Sequence, residues 1–339
     1  MTADQPGLLE GAIPPENNTA LFGHDAAQEF LAGAYRSGRM HHAILIEGAE
    51  GIGKATLAYR FAHHVLSHPD PLSAPETIAD PDPNDSIGRQ MASGASHNVL
   101  HLARPVDEKT GKAKSVITVD EVRRAGKFFN QTSGTGNWRI AIIDPADDLN
   151  RNAANAILKI LEEPPKRSLF LVLSHTPGRL LPTIRSRCLS LRLQPLSAAN
   201  LDRALAHLGA APGESDSIIT LSEGSVARAL LLRNYGGVDI AEAFVDILER
   251  GSLTNREPIY KLAETLAARD RDVAYQFFTE LAVDRVQAMA RDAGVTGDLM
   301  EADRLARLSS VLKDHFATAA AYNLDRKQTV LHAFSLFFG

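Results

Sequence analysis

Residues 48–56, GAEGIGKAT, lie between a short apolar run, AILIE at 43–47, and a helical pattern with Leu57, Phe61 and Val65 on one face. A glycine-rich turn from strand to helix lets backbone N–H groups and the helix N-terminus converge on an anion, and a lysine there adds a point charge beside terminal phosphates. This feature commits the surrounding chain to an α/β sheet of nucleotide-binding ancestry. Its expected nucleotide-contacting residues are Gly48, Gly51, Gly53, Lys54, Ala55 and Thr56. The motif G-x-x-x-x-G-K-[ST] is nevertheless incomplete, because Ala55 stands where a hydroxyl would coordinate magnesium. Thr56 comes one residue late, and one helical step turns a side chain by roughly 100°. The loop is thus expected to accommodate ATP or ADP without hydrolysing it.

A second test of a hydrolytic site is Asp144, which ends the apolar run RIAII. An acid at the carboxyl end of such a strand is placed to orient a metal, and open α/β sheets gather their ligands there. The next residue is Pro145, which has no acid–base chemistry to polarise water. Asp147 and Asp148 read as a polar loop or helix cap. Two parts of a hydrolytic site are therefore missing.

The apolar runs 43–46, 99–103, 140–143, 169–173 and 189–193 alternate with helical patterns. They predict a parallel sheet covered on both faces. An α/β domain over 21–195 is expected, preceded by a flexible lead over 1–20 that carries no export signal. Residues 67–96 are rich in Pro and Asp and are expected to be an insert with little fixed structure. After Pro195 the strand signals stop. A small helical unit is expected over 196–238, and longer amphipathic helices over 239–339. Apolar stripes at Leu305, Leu308, Leu312 and Phe316, and at Val273, Phe277 and Leu281 with Val286 after a break, read as buried faces.

Composition narrows the function. A formal charge of -5 argues against a protein that coats DNA alone through counterion release. No apolar run approaches the roughly 18 residues of a membrane span, and a cytoplasmic location with no membrane partner is expected. With Cys188 as the single cysteine, neither an intrachain disulfide nor a zinc site of several thiolates can form. The adjacent histidines at 41/42 and 63/64 point in different directions and read as packed or solvated side chains, so no metal site is expected.

Three blocks, HHAILIEGAEGIGKATLA, DPADDLNRNAANAILKILEEPP and LFLVLSHTPGRLLPTIRSRC, span 41–188 and closely resemble the bacterial DNA polymerase III clamp-loader family, within it the delta-prime branch. The resemblance implies an AAA+ domain, a small helical lid and a helical collar that joins a hetero-oligomer. It implies that Arg187, in the SRC motif, reaches ATP bound on an adjacent motor subunit and acts as an arginine finger. Ser174 falls in the region of a residue that senses the terminal phosphate. Arg228, in GSVARAL, falls one residue late for a second sensor. The helix over 150–163 lies near DNA in the family, but its apolar positions Ala154, Ile157, Leu158 and Leu161 favour packing, with Asn152 and Lys159 as solvated residues. Many family members carry a four-cysteine zinc module after the phosphate-loop helix, and 67–96 has no cysteine.

The implied partners are gamma/tau motor subunits, the delta subunit, the sliding clamp and, indirectly, primed DNA, within a holoenzyme of DNA-directed DNA polymerase (nucleotidyltransferase) activity. The alternative is the ATP-hydrolysing gamma/tau motor itself, against which Ala55, Pro145 and the lack of a long C-terminal extension speak. An unrelated P-loop kinase does not account for LEEPP together with SRC. Cys188 has no identifiable base beside it and reads as a buried small residue.

Overall fold

The computed structural model of the chain describes residues 8–82, 85–107, 113–130, 136–211, 216–250 and 256–338. The chain divides into two compact units, Met1–Arg228 and Ala229–Gly339. The finer divisions expected at 195/196 and 238/239 remain a proposal about lid and collar.

The first unit is built on five parallel strands, β1 (Ala43–Glu47), β2 (Val99–Leu102), β3 (Arg139–Ile143), β4 (Ser168–Ser174) and β5 (Leu189–Arg192), in the order β2-β3-β4-β1-β5. Their helices in chain order are α1 (Asp25–Arg36), α2 (Lys54–Ser67), α3 (Ser86–Ala92), α4 (Val119–Asn130), α5 (Arg151–Glu162) and α6 (Pro182–Arg185). Alternate strand residues face opposite sides. Ile44, Ile46, Ile140, Ile142, Leu169 and Leu171 pack with α1 and α2 on one side, while Ala43, Leu45, Ala141, Ile143, Phe170 and Val172 pack with α4, α5 and α6 on the other. Double coverage holds for β1, β3 and β4, whose residues are almost all buried. It does not hold for the edge strands β2 and β5, which have a neighbour on one side only and remain half-exposed.

Capping residues set the limits of α5. The Asn150 side chain accepts a hydrogen bond from Ala153 N at 2.9 Å, and Pro164 follows soon after the last turn. Ala153, Ala154, Ile157 and Leu161 are its buried face, while Asn152 and Lys159 are exposed.

Two expectations need correction. The segment 67–96 is not loosely structured where it is described: it contains a short 3-10 turn, Pro71–Ser73, and α3. Charged and polar groups on α1 and α2 tie it down. Arg60, buried in α2, pairs with Asp80 at 2.6 Å, His63 meets Asp85 at 2.6 Å, Tyr35 donates to His68 O at 2.6 Å and Arg36 to Ala74 O at 2.6 Å. Nor does a flexible lead extend over 8–20. Pro14 is buried there, and Thr19 O accepts from Arg60 at 2.6 Å.

Beyond β5 the chain is helical. Helices α7 (Ala198–His207) and α8 (Asp216–Leu221) belong to the first unit, and α9 (Val226–Asn234) runs across the division. The second unit continues with α10 (Gly237–Arg250), α11 (Glu257–Ala267), α12 (Asp272–Thr296), α13 (Leu299–Tyr322) and α14 (Arg326–Phe338). Phe244, Phe278 and Phe334 form its aromatic centre, with ring centroids 5.6–5.9 Å apart. The stripe on α13 is as expected, with Leu305 and Leu312 buried and Leu308 and Phe316 packed beside them. On α12 Phe277 and Val286 are buried as expected, but the rest of the buried face is not the expected one. Ala274, Phe278, Ala282 and Val286 repeat every four residues and are buried, whereas Val273 and Leu281 are half-exposed. Alanine at two of these positions hid the regular spacing. Among the described residues, no helix is long and apolar enough to cross a membrane.

His64 gives the first unit a pH dependence. It is buried on α2 against Tyr35, Phe61 and His68, and burial holds its imidazole down at about 4, well below the 6.5 of a free histidine. Below pH 6.5 the unfolded chain takes up a proton that the folded chain refuses until about pH 4, so stability is lost as pH falls through that window. A His64→Leu variant is expected to lose less unfolding free energy than the parent between pH 7 and pH 5, measured by urea denaturation at each pH. Equal losses would remove this assignment.

Candidate functional site

Three strand ends meet at one rim of the sheet. Glu47 of β1 pairs in register with Ser174 of β4, and Ile143 of β3 with Val172, so the phosphate loop, Asp144 and Ser174 converge there. Gly48 N donates to Ser174 O at 3.2 Å, fixing the start of the loop to β4.

The loop carbonyls are all satisfied from within the chain. Lys54 Nζ donates to Gly48 O at 2.8 Å and Ala49 O at 2.5 Å. Ser225 Oγ donates to Glu50 O at 2.8 Å and Val226 N to Gly51 O at 2.9 Å. Buried His24 gives its Nε2 to Ile52 O at 2.6 Å, and Leu57 N bonds Gly53 O at 2.9 Å. With its carbonyls all bonded, the loop backbone is braced in a turn that requires glycine: Gly51 and Gly53 have φ values of +73° and +101°. Gly51 is also needed for proximity. A Cβ there would overlap Ala227 and lie 2.5 Å from Ser225 Oγ, so the start of α9 sits directly on the loop.

Lys54 is almost fully buried, and burial brings its ammonium down to about 8, although Asp144, Glu50 and Asp147 oppose the shift. Its positive charge is turned towards the loop's own carbonyl oxygens. Ala55 is half-buried against the core and offers only a methyl group, while Thr56 is buried within α2. The residues present therefore do not fit a magnesium–nucleotide complex, and no hydrolytic step can be derived through one. Asp144 is half-buried, and desolvation raises its carboxyl above the ordinary value despite His101, Lys54 and Arg104 nearby.

Asp147 has a more definite part than a loop acid. Its carboxylate accepts from Ser174 Oγ at 2.8 Å, His175 N at 2.6 Å and Thr176 N at 3.3 Å, joining the turn after β3 to the end of β4. The hydroxyl of Ser174, expected as a phosphate sensor, is fully buried and committed to this bond. Asp148 pairs with Arg104 at 3.2 Å, and burial raises its carboxyl. Arg228 is brought to the start of α9, where its N–H donates to Ser225 Oγ at 3.2 Å and its guanidinium lies 3.7 Å from Glu223. His24, Asp147 and Ser225 are the site residues that the sequence reading missed. Their partners are 27 to 175 residues away along the chain, and no local pattern marks them.

Arg187 is apart from this loop, in the turn after α6. Its backbone N–H bonds Ile184 O at 3.0 Å, Nη1 donates to Thr183 O at 2.9 Å, and Nη2 meets Glu162 Oε1 at 2.8 Å. About a third of its side chain is exposed, at 35%. Cys188 packs beside it against the core, and burial pushes its thiol up to about 11, which suits a packing residue and not a nucleophile.

Removing the Asp147 carboxylate leaves a buried hydroxyl and two strand-end N–H groups without their acceptor. Asp147→Ala is expected to lower the unfolding free energy by about 1–3 kcal/mol, read from chemical denaturation. An unchanged midpoint and slope would show that the acid does not fasten β4.

The comparisons with known proteins agree with this geometry. Residues 23–197, more than half of the chain, match the family described as DNA polymerase III, delta subunit. DNA polymerase III subunit delta' of Pseudomonas aeruginosa is 34% identical over 197 residues, covering 58% of this chain and 56% of that one. The Escherichia coli subunit delta' is 32% identical over 164 residues, covering 47% and 44%. Escherichia coli subunit tau is 26% identical over 224 residues, covering 64% of this chain and 32% of tau. The matched stretch thus spans about half the length of the delta' relatives. With a family match over most of the α/β unit and delta' subunits among its relatives, this chain belongs to the DNA polymerase III delta-subunit family, in the delta' line of the clamp loader.

Proposed function

We propose that the chain is a delta-prime stator of the DNA polymerase III clamp loader, which supports ATP-driven loading of the sliding clamp on primed DNA and supplies Arg187 to a nucleotide held by a neighbouring subunit. The observation that carries this reading is a contrast within one unit. The phosphate loop has a methyl group at Ala55 and a lysine bonded to its own backbone, while a guanidinium stands at the surface in the turn after α6. A planar, always-charged guanidinium suits a developing phosphate anion. Pro145, at the position where hydrolytic members place an acid, adds to the contrast.

On this reading residues 196–238 form an AAA+ lid, and residues 239–339 form the collar that joins gamma/tau and delta subunits. The loop residues Gly48, Gly51, Gly53, Lys54, Ala55 and Thr56, with Asp144, Ser174 and Arg228, are a nucleotide pocket reused as framework. The chain contributes to a holoenzyme with nucleotidyltransferase activity without being an ATPase itself. Similarity to tau and gamma subunits at 26–27% identity favours the motor as the second reading, and Ala55 and Pro145 weigh against it.

The purified chain is expected to show no ATP hydrolysis above background. A loader reconstituted with Arg187→Ala is expected to lose DNA- and clamp-stimulated hydrolysis by roughly three orders of magnitude, the low end for a finger supplied across an interface. Steady turnover by the isolated chain would overturn the stator reading. An Arg187→Ala loader with parental activity would overturn the finger.

A further inference from the structure

The guanidinium assigned to a neighbour's phosphate is already engaged within its own chain. Glu162, the last residue of α5, holds Nη2 of Arg187 at 2.8 Å, and Thr183 O holds Nη1 at 2.9 Å. The two contacts differ in kind. Thr183 O is four residues away, in α6 directly before the arginine, and can stay with it as a local contact. Glu162 reaches it from a separate helix, and it is an oxyanion. Carboxylate and phosphoryl oxygens seek the same planar fork of N–H donors. Arg187 therefore has to exchange one oxyanion for another when it engages a nucleotide.

We infer that Glu162 is a positioning residue that regulates the finger: its carboxylate keeps Arg187 docked on this chain until a neighbouring subunit presents a fully seated nucleoside triphosphate. The inference rests on the reading of Arg187 as a finger in trans. Both partners are partly exposed, at 35% and 48% of their side chains, so water screens the pair and its hold is modest. A multiply charged phosphoryl group displaces such a carboxylate readily when it is well placed. A poorly seated nucleotide competes less well. Glu162 thus suppresses hydrolysis in the idle loader and leaves the fully assembled state almost untouched. Its place supports this use, because α5 begins directly after the turn that carries Asp147 and Asp148 and ends at the finger.

The test uses the reconstituted loader carrying the parent chain, Glu162→Gln, Arg187→Ala or both substitutions, with ATP hydrolysis measured without DNA and clamp and again at saturating DNA and clamp. Glu162→Gln is expected to raise the idle rate about three- to fivefold, the size of an exposed ion pair, and to leave the saturated rate within about twofold. The double variant is expected to match Arg187→Ala, because the carboxylate acts only through the arginine. A purely structural role for Glu162 would lower both rates together. An idle rate that is unchanged or lower in Glu162→Gln, beside a defective Arg187→Ala, would overturn the inference and leave the finger intact. Full activity in Arg187→Ala would instead overturn the finger reading. If the Gln variant assembles poorly, Glu162→Asp keeps the charge and shortens the reach, and it is expected to raise the idle rate in the same direction. An idle rate at or below the parent's in the Asp variant would also overturn the inference.

Discussion

The first unit depends on a donor being supplied to each backbone carbonyl of its phosphate loop. Across residues 48–53 six successive carbonyl groups are satisfied, by Lys54, Ser225, Val226, His24 and Leu57. A loop whose ancestry is anion binding is the place where His24, α2 and the segment 225–227 are fastened to the end of the sheet. Substitution of the magnesium-binding hydroxyl by Ala55 is compatible with this use, because the bracing needs backbone oxygens and a lysine but no metal ligand. The same lysine bonds two successive carbonyl oxygens of its own loop, those of Gly48 and Ala49.

The rim of the sheet repeats the pattern. Asp147 gathers three donors from the end of β4, so the acid-bearing turn and the sensor-bearing strand behave as one piece. Asp144 is desolvated beside it, and that burial raises its carboxyl above the ordinary value. The Asp147 cluster and the partly exposed Arg187 guanidinium lie towards opposite ends of α5, whose capping by Asn150 and termination before Pro164 set the distance between them.

Much of this was legible in the sequence because it is encoded locally. The five strands follow from short apolar runs, α5 from Asn150 and the following prolines, and the incompleteness of the loop from Ala55 and Pro145. The family resemblance rested on contiguous blocks, and it pointed to Arg187 for the same reason. What escaped were pairings between distant residues. His24 with Ile52, Asp147 with Ser174 and Glu162 with Arg187 are brought together by packing, and neither member of a pair announces the other. The face of α12 was only half legible, at Phe277 and Val286, because Ala274 and Ala282 are small and burial there is decided by the approach of other helices and not by side-chain size. The segment 67–96 looked unstructured because its own composition is poor in apolar residues, yet its anchors are supplied by α1 and α2.

That last feature bears on the conditions the protein tolerates. Arg60 grips Asp80 with one part of its guanidinium and Thr19 O with another, tying the loop at 80 and the N-terminal segment to α2 through a single side chain. Because the Asp80 carboxylate is exposed, dissolved salt screens its half of the grip, so the loop's hold loosens as ionic strength rises while the hydrogen bond to Thr19 O persists.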